Sequence, residues 1–382
     1  MNDRPTSSSA PQSLAAQLRS YDACFAEFLK PSGNGQKLLQ ASLIRAAFQK
    51  CAARGVAIRA DVPTSILDVS CGPGDFSVTW TSDVAEFLPR GMIFYCTDHP
   101  QSRSLATGER YTAMTAAKIR EAGRRGDLVL AGPPVATDAD LFAGDDRLMP
   151  PGRSADIVHW SHSGYHGRDA LGRDRDNPAA IEAAIGVAVE KMWAALDPSG
   201  MMVSVHQTRD TSDGVPSQML PVSRPYCGAV DNVPELTERR VRRLGGHVAT
   251  VPFATPLCFV TPGEADWEAL KRPAEWERLG PAERRNLLLL NFSAYDSSGA
   301  DKAALERLAE TGRLAAYVDA FKDIVVRNGG YILVKCAFQM ISKTSDVASR
   351  LTGIAADLRA DLPRFRRDMT EEMARAAMAA RL

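Results

Sequence analysis

Ten residues, Ile66-Leu67-Asp68-Val69-Ser70-Cys71-Gly72-Pro73-Gly74-Asp75, constrain this 382-residue chain more than any other stretch. A short apolar run closing on an acid, followed by two glycines one residue apart, reads as a buried strand that turns sharply into a helix. Gly72 and Gly74 open backbone conformations closed to other residues and let the chain come close to a ligand. Buried parallel strands need crossover connections, usually helices, so this turn already points to an α/β fold.

The rest of the chain repeats the theme. Residues 92–97 read as a second strand that ends on Asp98, and residues 127–131, 155–160 and 201–205 as a third, fourth and fifth. Residues 177–196 place Ile181, Ile185, Val189, Met192 and Leu196 on one helical face, and Asp197-Pro198-Ser199-Gly200 ends it. Residues 247–260 read as a strand pair or one bent strand, and residues 331–337 as a last strand. The alternation predicts a Rossmann-like, seven-stranded, mostly parallel sheet with helices on both faces.

Ahead of the sheet, Leu14, Leu18, Tyr21, Phe25, Phe28 and Leu29 share helical spacing, residues 30–35 break it, and residues 36–54 form a second helix. Beyond the fifth strand comes a long Pro-rich loop, a helix from Val233, and a helical stretch, 266–328, inserted before the last strand. From residue 345, Val347, Leu351, Ile354, Leu358 and Leu362 mark one more helix. The expected organisation is a disordered Ser/Pro-rich tail (1–13), an N-terminal helical cover (14–60), one sheet domain (61–343) capped by the 266–328 insertion, and a C-terminal helical extension (344–382).

Charge excludes some partners. Lys plus Arg and Asp plus Glu number 46 each, so no global positive field draws the chain to nucleic acid or to an acidic membrane. The Arg239-Arg240-Val241-Arg242-Arg243 run has no interleaved aromatics and reads as a solvated helix face. The seven cysteines are scattered, without a C-x-x-C pair, and read as reduced thiols. With a polar N-terminus and no apolar run of about 18 residues, a cytoplasmic protein with a small-molecule substrate is expected.

The glycine turn also discriminates between ligands. A dinucleotide site wants a third glycine at the helix start, where the pyrophosphate sits. Here an acid, Asp68, ends the strand instead, which suits a ligand with a cationic amino group. Asp98, one helix and one strand later, stands where an acid accepts ribose hydroxyls.

The order Asp68, Ser70, Gly72, Gly74 resembles the acid-x-Gly-x-Gly-x-Gly motif of class I S-adenosylmethionine (SAM)-dependent methyltransferases, with Ser70 in place of the first glycine. Asp98 matches their ribose-binding acid, and Leu196-Asp197-Pro198-Ser199-Gly200 is similar to the turn before their fifth strand. The resemblance implies SAM as cofactor, held by Asp68, Ser70, Gly72, Gly74, Asp98, His99 and Ser161, with the adenine near residues 136–138 and Thr137.

Residues 21–29, 32–36 and 156–166 are similar, more narrowly, to the histamine N-methyltransferase group, in its N-terminal helix, following loop and fourth strand. That likeness implies N-methylation of a small molecule, with Tyr21, Phe25, Asn34, Trp160 and Asn328 at the acceptor. The group's amine-holding glutamate falls at Asn34 and its glutamine at His162, departures that keep O-methylation of a carboxylate or hydroxyl open.

Three of the six histidines lie between Trp160 and its flanks, at 159, 162 and 166. If a proton must leave the acceptor, His162 is the first candidate base, with Tyr165 and His166 behind it. His159, inside the strand, reads as a core residue. Residues 159 and 162 are expected on different sides of an extended strand, so no metal site is expected. Two rival readings stay open: a catalytically silent SAM-fold binding protein, and a homodimer formed through the 344–382 extension.

Overall fold

The computed structural model describes residues 13–104, 107–142, 144–174, 177–209, 214–227, 232–294 and 302–379, apart from the side chains of Tyr21, Asp22, Asp169, Arg173, Arg224, Tyr226 and Cys227. The expected disordered tail, save Ser13, and the side-chain role expected of Tyr21 lie outside the described residues.

Helices α1 (Leu14–Arg19) and α2 (Tyr21–Phe28) each begin on a serine whose hydroxyl accepts a first-turn N–H, Ser13 from Ala16 and Ser20 from Ala23. After a turn comes α3 (Gln36–Arg54), stopped by Gly55 at φ 62°. The sheet unit then runs β1 (Thr64–Val69), α4 (Asp75–Val84), β2 (Met92–Asp98), α5 (Tyr111–Arg125), β3 (Val135–Asp138), β4 (Ala155–Ser161), α6 (Pro178–Ala195) and β5 (Leu196–Gln207). Helices α7 (Met219–Cys227) and α8 (Val233–Arg243) lead to β6 (His247–Cys258). Helices α9 (Pro281–Ser293), α10 (Ala304–Glu310) and α11 (Leu314–Arg327) lead to β7 (Tyr331–Ser342), and α12 (Ser345–Ala379) ends the described chain.

The seven strands form one sheet in the order 3-2-1-4-5-7-6. Strands β1 to β5 pair in parallel, and β7 runs antiparallel to both β5 and β6. This is the expected fold class. The order reverses between β1 and β4, so the crevice beyond the C-terminal ends of these strands is where such sheets bind ligands.

The third strand departs from expectation. Residues 127–131 form only an isolated bridge, Met92 to Leu130, and Val129 is 64% exposed. Pro133-Pro134 supplies no N–H to a ladder, and pairing resumes only at Val135. The expected turn at residues 197–200 exists as a bulge that loops out of β5 between Leu196 and Met201. Residues 247–258 form one continuous strand, the last strand runs on to Ser342, and α7 lies where only a loop is predicted.

Alternation along the strands sorts side chains onto two faces. Ile66, Phe94, Ile157 and Val203 pack beneath α3, α4 and α5, whereas Leu67, Val69, Tyr95, Val158 and Trp160 face α6 and α8. The Arg239–Arg243 run on α8 is paired with acids: Arg239 and Arg243 with Glu182, Arg240 with Glu190, Arg242 with Glu238.

Helix α12 folds back along α3 and β6. Val347, Leu351, Ile354, Leu358, Phe365, Met369 and Met373 are buried there, and Arg54 pairs with Asp357. The apolar face of the extension is therefore covered within the chain. Leu358→Ala should lower unfolding free energy by about 2 to 5 kcal/mol, measured by urea denaturation. Truncation after Ser342 should abolish the cooperative transition; an unchanged transition would show that α12 contributes nothing to the core.

Candidate functional site

The turn after β1 is built by left-handed backbone. Ser70, Gly72 and Gly74 have φ of 55°, 57° and 87°. Ser70 adopts the conformation glycine would take at that position, at a cost of roughly 1–2 kcal/mol. A Cβ on Gly74 would lie 2.7 Å from the Thr115 Cα, so α4 can approach α5 this closely only with glycine there. Thr115 Oγ1 donates to the Gly72 carbonyl at 2.8 Å, and the Gly72 N–H donates to Asp98 Oδ2 at 2.8 Å. The second Asp98 oxygen accepts the His99 N–H at 2.8 Å.

Asp68 is buried, and both of its oxygens are engaged. Ser77 Oγ donates to Oδ2 at 2.5 Å, and His159 Nδ1 lies 2.7 Å from Oδ1. Because a carboxylate only accepts, His159 carries a proton on Nδ1 and donates it to Asp68. Parallel register pairs Asp68 with His159 directly across β1 and β4. The His159 ring rests 4.8 Å from the Trp80 ring.

These groups open on a cavity of about 920 Å³, within the range of small-molecule sites. Its glycine-turn end is lined by residues 68–77, Asp98, His99, Tyr111 and Met114, with Leu141 and Phe142 alongside. Its other end is an apolar chamber of Phe25, Phe28 and Leu29 from α2, Met219 and Leu220 from α7, and Phe292 from α9. The Phe28 and Phe292 rings are 4.4 Å apart. Lys37, His159, Ser161, His162, Tyr165, His166 and His206 also line it.

Of the predicted residues, Asp68, Ser70, Gly72, Gly74, Asp98, His99, Phe25, Ser161, His162, Tyr165 and His166 thus share one cavity. Ser161 Oγ accepts from Gln40 Nε2 at 2.7 Å. His162 lies beyond the end of β4 at φ 53°, and this reversal returns its ring to the cavity that His159 lines. The two rings are therefore not on opposite sides, as strand alternation alone predicts. Among the described residues, no group of three or more His, Cys, Asp and Glu side chains is placed to hold a metal.

Four predicted residues lie elsewhere. Thr137 is inside β3, paired with Thr97, and does not line the cavity. Trp160 faces α6, its Nε1 donating to Ser163 Oγ at 2.7 Å, because its neighbour His159 takes the cavity face. Asn34 is a buried turn residue, donating to the Phe28 carbonyl and accepting the Gln36 N–H, each at 2.8 Å. Asn328 ends α11 and donates to Gln218 Oε1 at 2.6 Å and to the Tyr331 carbonyl at 3.0 Å.

Two site residues carry no local sequence signal beyond position. His206 sits at the end of β5, where its Nε2 accepts the Gly164 N–H at 3.1 Å and its Nδ1 meets Ser204 Oγ at 3.1 Å. Burial, with His159 and Lys37 nearby, lowers its pKa to about 3. Lys37, in the first turn of α3, reaches Gln40 Oε1 at 3.2 Å and lies 4.2 Å over the Phe76 ring. Burial brings its ammonium down to about 8, against the opposing pull of Cys336 and Asp68. His162 is held well below its usual value by burial and then by Lys37, His206 and His159.

No family model matches the sequence, and no curated protein matches it. Solved structures are similar in part. An O-methyltransferase family protein from Burkholderia thailandensis is 17% identical over 49% of this chain and 47% of its own, with a TM-score of 0.32, so the chain spans about half its length. A putative methyltransferase from Bacillus halodurans C-125 is 12% identical over 77% of this chain and 97% of its own, TM-score 0.39. A SAM-dependent methyltransferase from Geobacter sulfurreducens, in complex with S-adenosyl-L-homocysteine, is 17% identical over 78% of this chain and 89% of its own, TM-score 0.34.

Two outcomes follow from the geometry. Ser70→Gly removes the left-handed penalty but adds backbone entropy of about 0.5–1 kcal/mol, so melting should show an unchanged or slightly higher stability. His206 binds its proton more readily in the unfolded chain, near 6.5, than in the fold, near 3. Stability should therefore fall as pH drops from 6.5 towards 3, and His206→Gln should flatten that fall in denaturant titrations at several pH values.

Proposed function

We propose that this chain is a SAM-dependent methyltransferase acting on a small molecule. The observation that carries the reading is the left-handed turn from Ser70 to Gly74, braced on the Asp98 carboxylate at the ends of β1 and β2 and opening on the same cavity as the apolar chamber. Bound SAM supplies an electrophilic methyl group on a sulfonium.

The residues present fit that group with one adjustment. Gly72 has no side chain to obstruct an approaching ligand, and nothing would meet a Cβ built there. Asp98 uses one lone pair of each oxygen on the turn, leaving others for ribose hydroxyls. Leu141 and Phe142 offer the apolar surface an adenine needs, in place of Thr137. Asp68 is the adjustment: with both oxygens engaged by Ser77 and His159, it shapes the turn and is not assigned to the amino group of the cofactor.

Methyl transfer asks mainly that the acceptor lone pair be aligned with the methyl and water be kept out. The chamber of Phe25, Phe28, Leu29 and Phe292 does the second. Tyr165, His162 and Ser161 stand between chamber and turn and do the first. A base works best with a pKa near the working pH; His162, held well below that, acts here as a neutral hydrogen-bond acceptor that orients the acceptor, with His166 and Tyr165 beside it. The narrower resemblance implies transfer to nitrogen. Transfer to a carboxylate or hydroxyl oxygen is the second reading, favoured by Asn34, a turn residue that supplies no acid to hold an amine.

Calorimetric titration with SAM and S-adenosylhomocysteine tests the reading: both should bind, and Asp98→Ala should weaken both at least tenfold. Unaltered affinity in Asp98→Ala sinks the cofactor placement. Mass analysis of products made from a methyl-labelled donor then assigns the methyl to nitrogen or oxygen.

A further inference from the structure

Lys37 belongs to the glycine-turn end of the cavity. Its Nζ lies 4.2 Å over the ring of Phe76, the second residue of α4, just past the Gly72–Gly74 turn. Its other polar neighbour is a neutral amide, Gln40 Oε1 at 3.2 Å, and among the described residues it forms no ion pair. The carboxylates at this end are committed elsewhere: Asp68 to Ser77 and His159, Asp98 to two backbone N–H groups, Asp75 to Lys118.

Two further features of the same corner call for a ligand. Helix α4 begins on Gly74, so no side chain caps its first turn, and residues 74–77 line the cavity. An uncapped helix start carries partial positive charge and unmatched N–H donors, which suits an anion. Beside it, the His159 ring lies 6.2 Å from the Phe76 ring, and its Nε2 is buried without a partner in a residue only 4% exposed. Leaving such an atom unmet is costly. The other cations of the cavity are placed otherwise: Lys118 is paired with Asp75 at 2.6 Å, and Arg168 lies beyond β4 in the segment 164–174 that packs on α6.

SAM is cationic at its sulfonium, but its methionine tail ends in an α-amino group and an α-carboxylate. The glycine turn separates Asp98, which the Gly72 N–H holds, from Phe76, over which Lys37 lies. A ligand with its ribose on the first therefore brings its tail toward the second. We propose that Lys37, with the uncapped start of α4, binds the α-carboxylate of the cofactor, so that the protein selects a nucleoside sulfonium or thioether carrying an intact amino acid. The proposal rests on the methyltransferase reading and names the residue that recognises the tail, a role Asp68 does not fill with both of its oxygens engaged. An ammonium and a carboxylate in a partly dry wall form a charge-assisted hydrogen bond, stronger than a neutral one.

Calorimetry on the full chain tests this with three probes: S-adenosylhomocysteine, its decarboxylated analogue, which keeps the amino group, and methylthioadenosine, which lacks the whole tail. The wild type should bind S-adenosylhomocysteine roughly tenfold or more tightly than the decarboxylated analogue, as the loss of a charged hydrogen bond implies. Lys37→Met should weaken S-adenosylhomocysteine by a similar factor without weakening either of the other two, and Lys37→Arg should keep most of the affinity, with melting curves showing that both variants fold. Equal wild-type affinity for S-adenosylhomocysteine and the decarboxylated analogue, a comparison that needs no variant, overturns the proposal. So does unaltered S-adenosylhomocysteine affinity in Lys37→Met, or an equal loss for all three probes. Failure of S-adenosylhomocysteine and methylthioadenosine alike to bind the wild type overturns the cofactor reading and the proposal with it, whereas binding of both without dependence on Lys37 overturns the proposal alone.

Discussion

A single buried carboxylate, Asp68, ties the site together. A charge withdrawn from water is tolerated only when its hydrogen-bonding capacity is met, and here each oxygen has its own donor: the Ser77 hydroxyl of α4 and the His159 imidazole of β4. The carboxylate therefore joins three elements at the point where the strand order reverses. It fixes where α4 starts after the turn, and it holds the His159 ring with a proton on Nδ1. Removing either donor would leave the charge short of a partner, a far larger penalty than the modest net gain of an average hydrogen bond.

The glycine turn depends on the same arrangement. Three residues with positive φ between Val69 and Asp75 compress the chain so that the Gly72 N–H reaches Asp98 and its carbonyl reaches Thr115. A Cβ at Gly74 would force α5 away and break the second of these. Backbone conformation, strand spacing and a side chain from the next strand thus enforce one another, and the cavity mouth is the space they leave open.

The sheet and the turn were legible because both are local. Strand length, the spacing of glycines and the acid one crossover later are written within about 35 residues. Legibility ended where parity or long-range contact decides. Trp160 and His159 are neighbours in sequence, yet alternation sends the first to α6 and the second to the cavity, the reverse of reading Trp160 at the acceptor and His159 as core. Asn34 and Asn328 are polar residues in loops and at helix ends, where turn and cap roles compete with ligand binding. Lys37 is one cation among 46; only the folding of α3 over β1 and β4 gives it a distinct environment. The heptad-like face of α12 announced that something covers it, but not that α3 and β6 of the same chain do so.

The depressed basicity of the cavity has a coherent electrostatic reading under the proposed chemistry. A donor that carries its methyl on a cationic sulfonium is destabilised by protonated neighbours, and burial keeps His162 and His206 uncharged at neutral pH. Lys37, brought down only to about 8, retains most of its charge there. With His162 and His206 uncharged, the wall offers neutral hydrogen-bond acceptors beside the cations Lys37, Lys118 and Arg168. A hydroxyl or neutral amine can be oriented by these acceptors.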